Sequence, residues 1–390
     1  MADKRRGHNE GSIYYVPERD RWVVEVSVAP GQRKKFYCKT KQEAVRKKSE
    51  VLRELEKGTL ADGPQRKLKD YLEDWLENVH KDNIRISTYV KYKKLIRYIT
   101  ADLGDVWLQK LTPEQVQRFY TKKRKDGLSS KTVHEIHGVL HLALKHAMRW
   151  NYVSRNVCDL LDSPRVVSRE GTPLTLEQAK RLLGGIQGHR LEVVLMMAVI
   201  TGMRKGEIIA LCWSDVDLER RVLHIVHTVD YIPGYGYVQN EPKTQAGKRT
   251  IDLPAFFVDM LKQHRVKQEE RRLKVGEAWE GRDLVFPDLT GGYLNPIHVL
   301  RMFKKILERA ELPHMHFHDL RHSAATILIS MGINPKVIQE LLGHSDISIT
   351  LGIYGHLFPS MQKDIVDKWQ DVFGDRDDDE DGDEGNAVPL

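Results

Sequence analysis

Six residues in the second half of the chain have the chemistry needed to break and remake a phosphodiester bond. In chain order they are Arg204, Lys243, His318, Arg321, His344 and Tyr354. A phosphodiester repels an oxygen nucleophile, so the charge that develops on the phosphate must be stabilised by fixed donors. The two arginines suit this task, because a guanidinium stays charged and offers paired donors to two phosphate oxygens. The tyrosine supplies a phenol whose attack leaves a covalent phosphotyrosyl link.

The same chemistry needs groups that handle protons. A deoxyribose 5′ oxygen leaves poorly unless a general acid protonates it, and His318 and His344 can bind phosphate oxygens and move protons near neutral pH. Other interpretations stay open. Most of the 62 lysines and arginines must be surface charges, and Tyr354 can be a core aromatic of a terminal helix. His318 and His322 have the spacing of a helical zinc pair, but neither a His-Glu-x-x-His pattern nor a cysteine pair accompanies them.

The order of the six residues resembles that of the tyrosine recombinases, the integrases of phages and mobile elements. The matching segments read TGMRKGE, EPKTQAGKRT, HFHDLRHSAAT, LLGHS and TLGIYGHL over about 150 residues. The resemblance implies that Lys243 is the general acid, with Lys248 as a competing candidate, and that His318 pairs with Arg321 at a helix start. Glu207 matches an acidic residue of the family, and a salt bridge to an arginine is its simplest role.

The elements that must position these residues indicate a multidomain α+β chain. We predict a small three-stranded sheet plus helix, an all-helical core-site-binding domain, and a mainly helical catalytic domain with a small antiparallel sheet. The predicted boundaries are an arm-type DNA-binding domain at 1–60, a linker at 61–67, the helical domain at 68–162, a linker at 163–174, the catalytic domain at 175–374 and an acidic disordered tail at 375–390.

The first domain is predicted from alternating apolar and polar residues. Strand-like runs cover 12–16, 22–28 and 33–39, and helical spacing covers 41–56. The basic residues of the third run are DNA-binding candidates: Arg33, Lys34 and Lys35. This module resembles the arm-type DNA-binding domain of one class of phage integrases. A basic accessory fold for protein contacts is the alternative.

The second domain is predicted to be helical throughout. Apolar stripes, one of them from Leu68 to Leu76, indicate amphipathic helices, and Thr112 before Pro113 is typical of an N-cap. Its DNA-binding candidates are Lys122, Lys123, Arg124, Lys125 and Lys131. The resemblance implies that this domain grips the core site opposite the catalytic domain, whereas a solvated charged face is the simpler interpretation.

In the catalytic domain, Thr175 with Gln178 resembles a capping box, and helices are predicted at 191–200, 334–342 and 347–356. Lys243 lies between two strand-like runs, 222–231 and 249–253, which predicts a hairpin tip that reaches a DNA groove. The amphipathic stretch 361–373 needs a partner, which is either the chain's own core or, as the resemblance implies, a neighbouring protomer in a tetramer.

Charge agrees with a nucleic-acid partner. The chain carries a net charge of +7, but residues 375–384 contain eight acids and one arginine, so this segment is −7 and the remainder +14. A protein with this positive charge binds the phosphate backbone of nucleic acids, and its affinity falls as the salt concentration rises. The longest apolar run, Val193 to Ile200, has eight residues, which excludes a membrane span. Three scattered cysteines and the absence of an apolar signal core predict a reducing cytoplasm.

The resemblance therefore implies a site-specific recombinase that uses no cofactor, neither ATP nor metal. Its expected partners are duplex attachment sites with core and arm regions, three further copies of itself in a homotetramer, and, as candidates, a host DNA-bending protein and a recombination directionality factor. A type IB topoisomerase-like enzyme and a non-catalytic DNA-binding regulator are the alternatives from other classes.

Overall fold

The computed structural model describes residues 11–29, 32–56, 64–166, 173–242, 244–346 and 369. Lys243, Tyr354, the predicted helix 347–356, the acidic tail and all but one residue of the stretch 361–373 lie outside the described residues. The chain divides into two compact units, with the boundary between residues 168 and 169.

The first unit begins with an antiparallel sheet and a helix. The elements are β1 (Ser12–Val16), β2 (Arg21–Ala29), β3 (Gln32–Cys38) and α1 (Lys41–Glu56), and the strand order is β1-β2-β3. The alternation in β2 buries Val24 and Val26 completely, in one cluster with Ala44 and Val51 of α1. The prediction of three strands plus a helix is therefore confirmed, with ends that differ by one residue.

The rest of this unit is helical, as predicted. It contains α2 (Leu68–Asp74), continued by a π-helical turn (Trp75–His80), then α3 (Ile86–Leu103), α4 (Pro113–Lys125) and α5 (Ser130–Arg149). The predicted apolar stripe of α2 is buried. Thr112 caps α4 through a reciprocal capping box with Gln115, which satisfies two backbone donors that the helix start leaves unpaired.

The second unit is mainly helical with two small antiparallel sheets. Its elements are α6 (Leu176–Gly184), α7 (Glu192–Thr201), α8 (Lys205–Ala210), β4 (Val216–Asp217), β5 (Val222–Ile225), β6 (Thr228–Ile232), β7 (Gly236–Asn240), β8 (Arg249–Asp252), α9 (Ala255–Val275), α10 (Pro296–Arg309), α11 (Asp319–Ser330) and α12 (Pro335–Leu342). One sheet has the order β4-β5-β8 and the other pairs β6 with β7. The predicted capping box of Thr175 and Gln178 is present at α6.

The strand-like run 222–231 is divided into two strands, and the prediction of a hairpin tip at Lys243 was wrong. This run forms β5 and β6, which belong to different sheets, and β6 turns back into β7 through residues 233–235. Gly234 and Gly236, at φ +84° and +75°, allow this tight turn. The hairpin tip is therefore at 233–235, whereas the segment around position 243 connects β7 to β8.

Across the parts of the chain that the structure describes, no helix has the combined length and apolarity that a membrane span requires.

Candidate active site

A tight turn after α7 places Arg204. The helix ends at Gly202, whose φ of +60° is left-handed, and Arg204 follows in an extended conformation as the residue before α8. Gly202 packs closely on α12, because a Cβ at this position would lie 2.3 Å from Cδ2 of Leu342. Its carbonyl oxygen accepts a hydrogen bond of 2.9 Å from Nη1 of Arg321. The turn that carries Arg204 is thus hydrogen-bonded to the side chain of Arg321.

The start of α11 carries His318 and Arg321. His318 occupies the N-cap position, and its carbonyl oxygen accepts a 3.1 Å hydrogen bond from the backbone amide of Arg321. Arg321 is only 3% exposed. The predicted His-x-x-Arg helix start is therefore the local structure that sets these two side chains one turn apart.

His344 enters from the end of α12. The helix stops at Gly343, which has a φ of +66°, and the backbone of His344 is then held by Gln339 in both directions. The amide of His344 donates to the carbonyl of Gln339 at 3.1 Å, and Nε2 of Gln339 donates to the carbonyl of His344 at 3.1 Å.

The charges that act on the two histidines show that these four residues share one site. Burial lowers the pKa of His344 to about 4, and the charges of Arg321 and Arg204 add to this effect. Burial also lowers the pKa of His318, with further contributions from His322, Arg321 and Arg204. Both imidazoles are therefore neutral at pH 7 and can each donate and accept one hydrogen bond. The arrangement offers fixed positive charge and neutral hydrogen-bonding groups to an anion.

The buried carboxylate of Glu207 binds two arginines of the site, Arg204 and Arg249. Its side chain is 2% exposed, and its Oε1 lies 2.7 Å from Nη1 of Arg204. Its Oε2 accepts from the backbone amide of Arg204 at 2.9 Å and lies 3.1 Å from Nη2 of Arg249. Burial alone would raise the pKa of Glu207, but Arg249 and Arg204 outweigh burial and lower it. The carboxylate is ionised and holds two guanidiniums.

Arg249 is a further residue of this site, and the sequence alone does not mark it as a functional candidate. It begins β8 and its side chain is 6% exposed. No motif marks it. The sequence holds no signal for this role, because the burial of Glu207 and its distance to Arg249 are set by the fold.

Three predicted features of the site have different outcomes. Lys243 and Tyr354 lie outside the described residues. Lys248 is half-exposed and its Nζ lies 2.8 Å from Oε2 of Glu241. The rings of His318 and His322 have centroids 5.4 Å apart and are nearly perpendicular, and the described residues contain no cluster of three or more His, Cys, Asp or Glu side chains that could hold a metal ion.

The basic candidates of β3 lie on both faces of the first sheet. Lys35 pairs in register with Glu25, and Arg33 with Ser27, so these two cations share the face opposite the buried Val24 and Val26. Tyr37 belongs to this open face and is 51% exposed. Lys34 pairs with Val26 and therefore lies on the face that packs against α1. The open face combines cations with an aromatic ring.

The basic run at the end of α4 is divided by burial. Lys123 is 9% exposed, its Nζ lies 2.5 Å from Oδ2 of Asp102, and it sits over the rings of Tyr98 and Phe119. Its environment is that of a structural ion pair. Lys122 also pairs with Asp102. The remaining candidates are exposed on the surface: Arg124, Lys125 and Lys131.

Comparison with known proteins adds independent findings. The phage integrase family model matches residues 173–361, and the model of the phage integrase N-terminal SAM-like domain matches residues 67–124. A tyrosine recombinase XerC-like protein of Caldanaerobacter subterraneus is 32% identical over 96% of this chain and 100% of its own length. An integrase of Streptomyces ambofaciens is 30% identical over 90% of this chain and 93% of its own.

Solved structures share the fold. The Tn1549 transposon integrase, in complex with a circular intermediate DNA, has a TM-score of 0.64 at 22% identity and covers 77% of this chain and 99% of its own. A lambda integrase tetramer bound to a Holliday junction has a TM-score of 0.55 at 16% identity, with coverages of 88% and 97%. Because a full-length relative exceeds 30% identity and two family models match, the chain belongs to the phage integrase family of tyrosine recombinases.

Proposed function

We propose that this recombinase cuts and rejoins duplex DNA with Tyr354 as the nucleophile and Arg204, His318, Arg321 and His344 as the phosphate-binding groups. The observation that carries the proposal is the convergence of two arginines and two neutral histidines from three separate helix ends. Guanidiniums and imidazoles fixed before the reaction stabilise charge that develops on phosphate oxygens without reorganisation.

The proposed reaction conserves phosphodiester bonds. The phenolic oxygen of Tyr354 gives its proton to a neutral imidazole of the site and attacks phosphorus. The bond from phosphorus to the 5′ oxygen breaks, and the 5′ oxygen leaves with a proton from Lys243. A 3′-phosphotyrosine remains on the cut strand. A 5′ hydroxyl of the partner duplex then attacks this link and returns a proton to Lys243, and Tyr354 leaves with the proton that the imidazole held. Neither ATP nor a metal ion takes part in these steps.

Two lysines compete for the role of proton donor, and we assign it to Lys243. The ammonium of Lys248 forms an exposed ion pair with Glu241 at 2.8 Å, which costs little free energy to break, so variants of the two lysines decide between them. Lys243→Ala should therefore lower the cleavage rate strongly, whereas Lys248→Ala should change it little. When sulfur replaces the 5′ oxygen of the substrate, the sulfur leaves as a thiolate and needs no proton. Such a substrate should restore cleavage by Lys243→Ala.

The proposed assembly is a homotetramer that holds two duplex attachment sites, by analogy with the lambda integrase tetramer bound to a Holliday junction. The open face of β3 would contact arm sites through Arg33 and Lys35, and Arg124, Lys125 and Lys131 would contact core sites. A host DNA-bending protein and a directionality factor remain candidate partners. The proposed reaction takes place on DNA in the cytoplasm of a bacterial host, where it integrates and excises a phage or mobile element.

The test uses supercoiled plasmid in EDTA, stopped with SDS. Wild-type protein should relax the plasmid and remain attached to DNA, whereas Tyr354→Phe should bind DNA and do neither. Relaxation by Tyr354→Phe would refute the assignment of the nucleophile. Relaxation by the wild type on any sequence, with no recombination of cognate sites, would favour a type IB topoisomerase-like enzyme. DNA binding without an adduct on cognate sites would favour a non-catalytic regulator.

A further inference from the structure

Arg249 lies at the meeting point of three elements that carry proposed catalytic side chains. Its Nη2 and Nη1 lie 3.1 Å and 3.4 Å from the two oxygens of Glu207 at the start of α8. Its Nε donates to the carbonyl oxygen of Leu341 in the last turn of α12 at 2.6 Å. Its Nη1 also lies 3.3 Å from the carbonyl oxygen of Gly247. One planar side chain thus binds α8, α12 and the connection from β7 to β8.

The first of these links extends to Arg204. Each oxygen of Glu207 that Arg249 contacts also accepts from Arg204, one from its guanidinium at 2.7 Å and one from its backbone amide at 2.9 Å. Arg249 therefore fixes the rotamer of the carboxylate that fixes Arg204. The side chain of Arg204 is 40% exposed, so its position depends on the buried Glu207 and Arg249 that hold it from the protein side.

The second link extends to His344. Leu341 is three residues before His344, and the intervening Gly343 rests against Arg249. A Cβ on Gly343 would lie 3.0 Å from Cδ and 3.1 Å from Nη1 of Arg249. The guanidinium therefore forms the floor of the left-handed turn from which His344 leaves the helix.

We propose that Arg249 is a positioning residue that fixes Arg204 and His344 relative to each other, so that both reach one phosphate. The inference rests on the proposed function, because it assigns a geometric role within that active site. A lysine cannot replace this arginine, since a single ammonium lacks the planar fork that reaches Glu207 and Leu341 together.

The test separates positioning from simple loss of folding. Partial unfolding lowers the fraction of molecules that react in a single turnover, whereas a displaced Arg204 or His344 lowers the rate constant of the molecules that are folded. We expect both Arg249→Met and Arg249→Lys to bind DNA with an affinity within about 3-fold of the wild type. The rate constant of adduct formation should fall about 100-fold in Arg249→Met and about 10-fold in Arg249→Lys, because a misplacement of about 1 Å can cost 100-fold. If Arg249→Met does not fold, Arg249→Lys decides the question.

The matched control is Arg272→Met, which removes an exposed arginine of α9 with a 3.5 Å ion pair to Glu269. This variant should keep both the rate constant and the reacting fraction. Unchanged rate constants in the folded Arg249 variants, with a loss confined to the reacting fraction, would overturn the positioning role. The absence of an adduct with the wild type on cognate sites would refute the proposed function and this inference with it.

Discussion

Replacing Glu207 by glutamine tests how the site is held together. The change keeps the shape of the side chain and removes the charge that two guanidiniums share. Arg249 would then be buried without its counter-ion, and breaking a buried ion pair typically costs about 3–5 kcal/mol. The contact with Arg204 adds less than about 1 kcal/mol, because the side chain of Arg204 is 40% exposed. Glutamine retains some hydrogen bonds, so we expect a loss of about 3 kcal/mol in the free energy of unfolding of this unit.

Hydrogen exchange measured by mass spectrometry can follow this loss in each unit separately. The most protected amides of α7 and β8 should exchange about 100-fold faster in Glu207→Gln at 25 °C, because each 1.4 kcal/mol is a factor of ten in the opening equilibrium. Amides of residues 64–166 provide the internal reference.

Glu311→Gln is the matched control. Glu311 also forms an ion pair with an arginine, with Oε2 3.1 Å from Nη2 of Arg181, but its side chain is 86% exposed. This variant should stay within about 0.5 kcal/mol of the wild type. If Glu207→Gln and Glu311→Gln exchanged alike, the claim that a buried carboxylate holds the site would be refuted.

Three further predictions follow from burial and contacts. Ser323→Ala should destabilise by about 1–3 kcal/mol in urea unfolding, because its fully buried hydroxyl accepts from the amide of Leu174 and donates to the carbonyl of Asp319, both at 2.8 Å. Gly206→Ala should cost about 1–3 kcal/mol by the same assay, because the new Cβ would lie 2.5 Å from Oγ1 of Thr228. The free energy of unfolding should fall as the pH is lowered from about 6.5 to 4, because burial lowers the pKa of His344 to about 4 in the folded protein, so the unfolded chain binds the proton first.

Each of these has a contradicting result. A stability of Ser323→Ala equal to that of the wild type would mean that water replaces the hydroxyl. Gly184→Ala is the control for Gly206, since a Cβ there meets nothing within 4 Å, and equal effects of the two changes would count against the close contact with β6. His344→Gln should flatten the fall in stability between pH 6.5 and 4, and an unchanged slope would assign it to other groups.

The sequence predicted those features that depend on neighbouring residues. The capping boxes at Thr112 and Thr175 require only a hydroxyl and a glutamine three residues later, and both are present. The His-x-x-Arg helix start is equally local. The hairpin tip was predicted at the wrong position, because the strand-like run 222–231 does not show where one strand ends and the next begins, whereas Pro233-Gly234 marks the turn.

Features that depend on distant pairing could not be predicted in the same way. Glu207 and Arg249 are 42 residues apart and meet only because α8 and β8 pack beside the end of α12. Lys123 lies in a basic run that predicts a DNA contact, but in the fold it forms a buried ion pair with Asp102 on α3. Pattern and spacing identify residue types for a reaction, whereas the partners of a buried charge are fixed by tertiary contacts.

Locating the covalent bond shows directly whether Tyr354 is the nucleophile. Wild-type protein is reacted with a suicide attachment-site substrate in EDTA, digested with nuclease and protease, and analysed by tandem mass spectrometry. We expect a nucleotide joined through its 3′ phosphate to Tyr354, and no such adduct with Arg321→Ala at equal DNA occupancy. A nucleotide on another residue, or an adduct that forms only when a divalent metal is added, would contradict this mechanism.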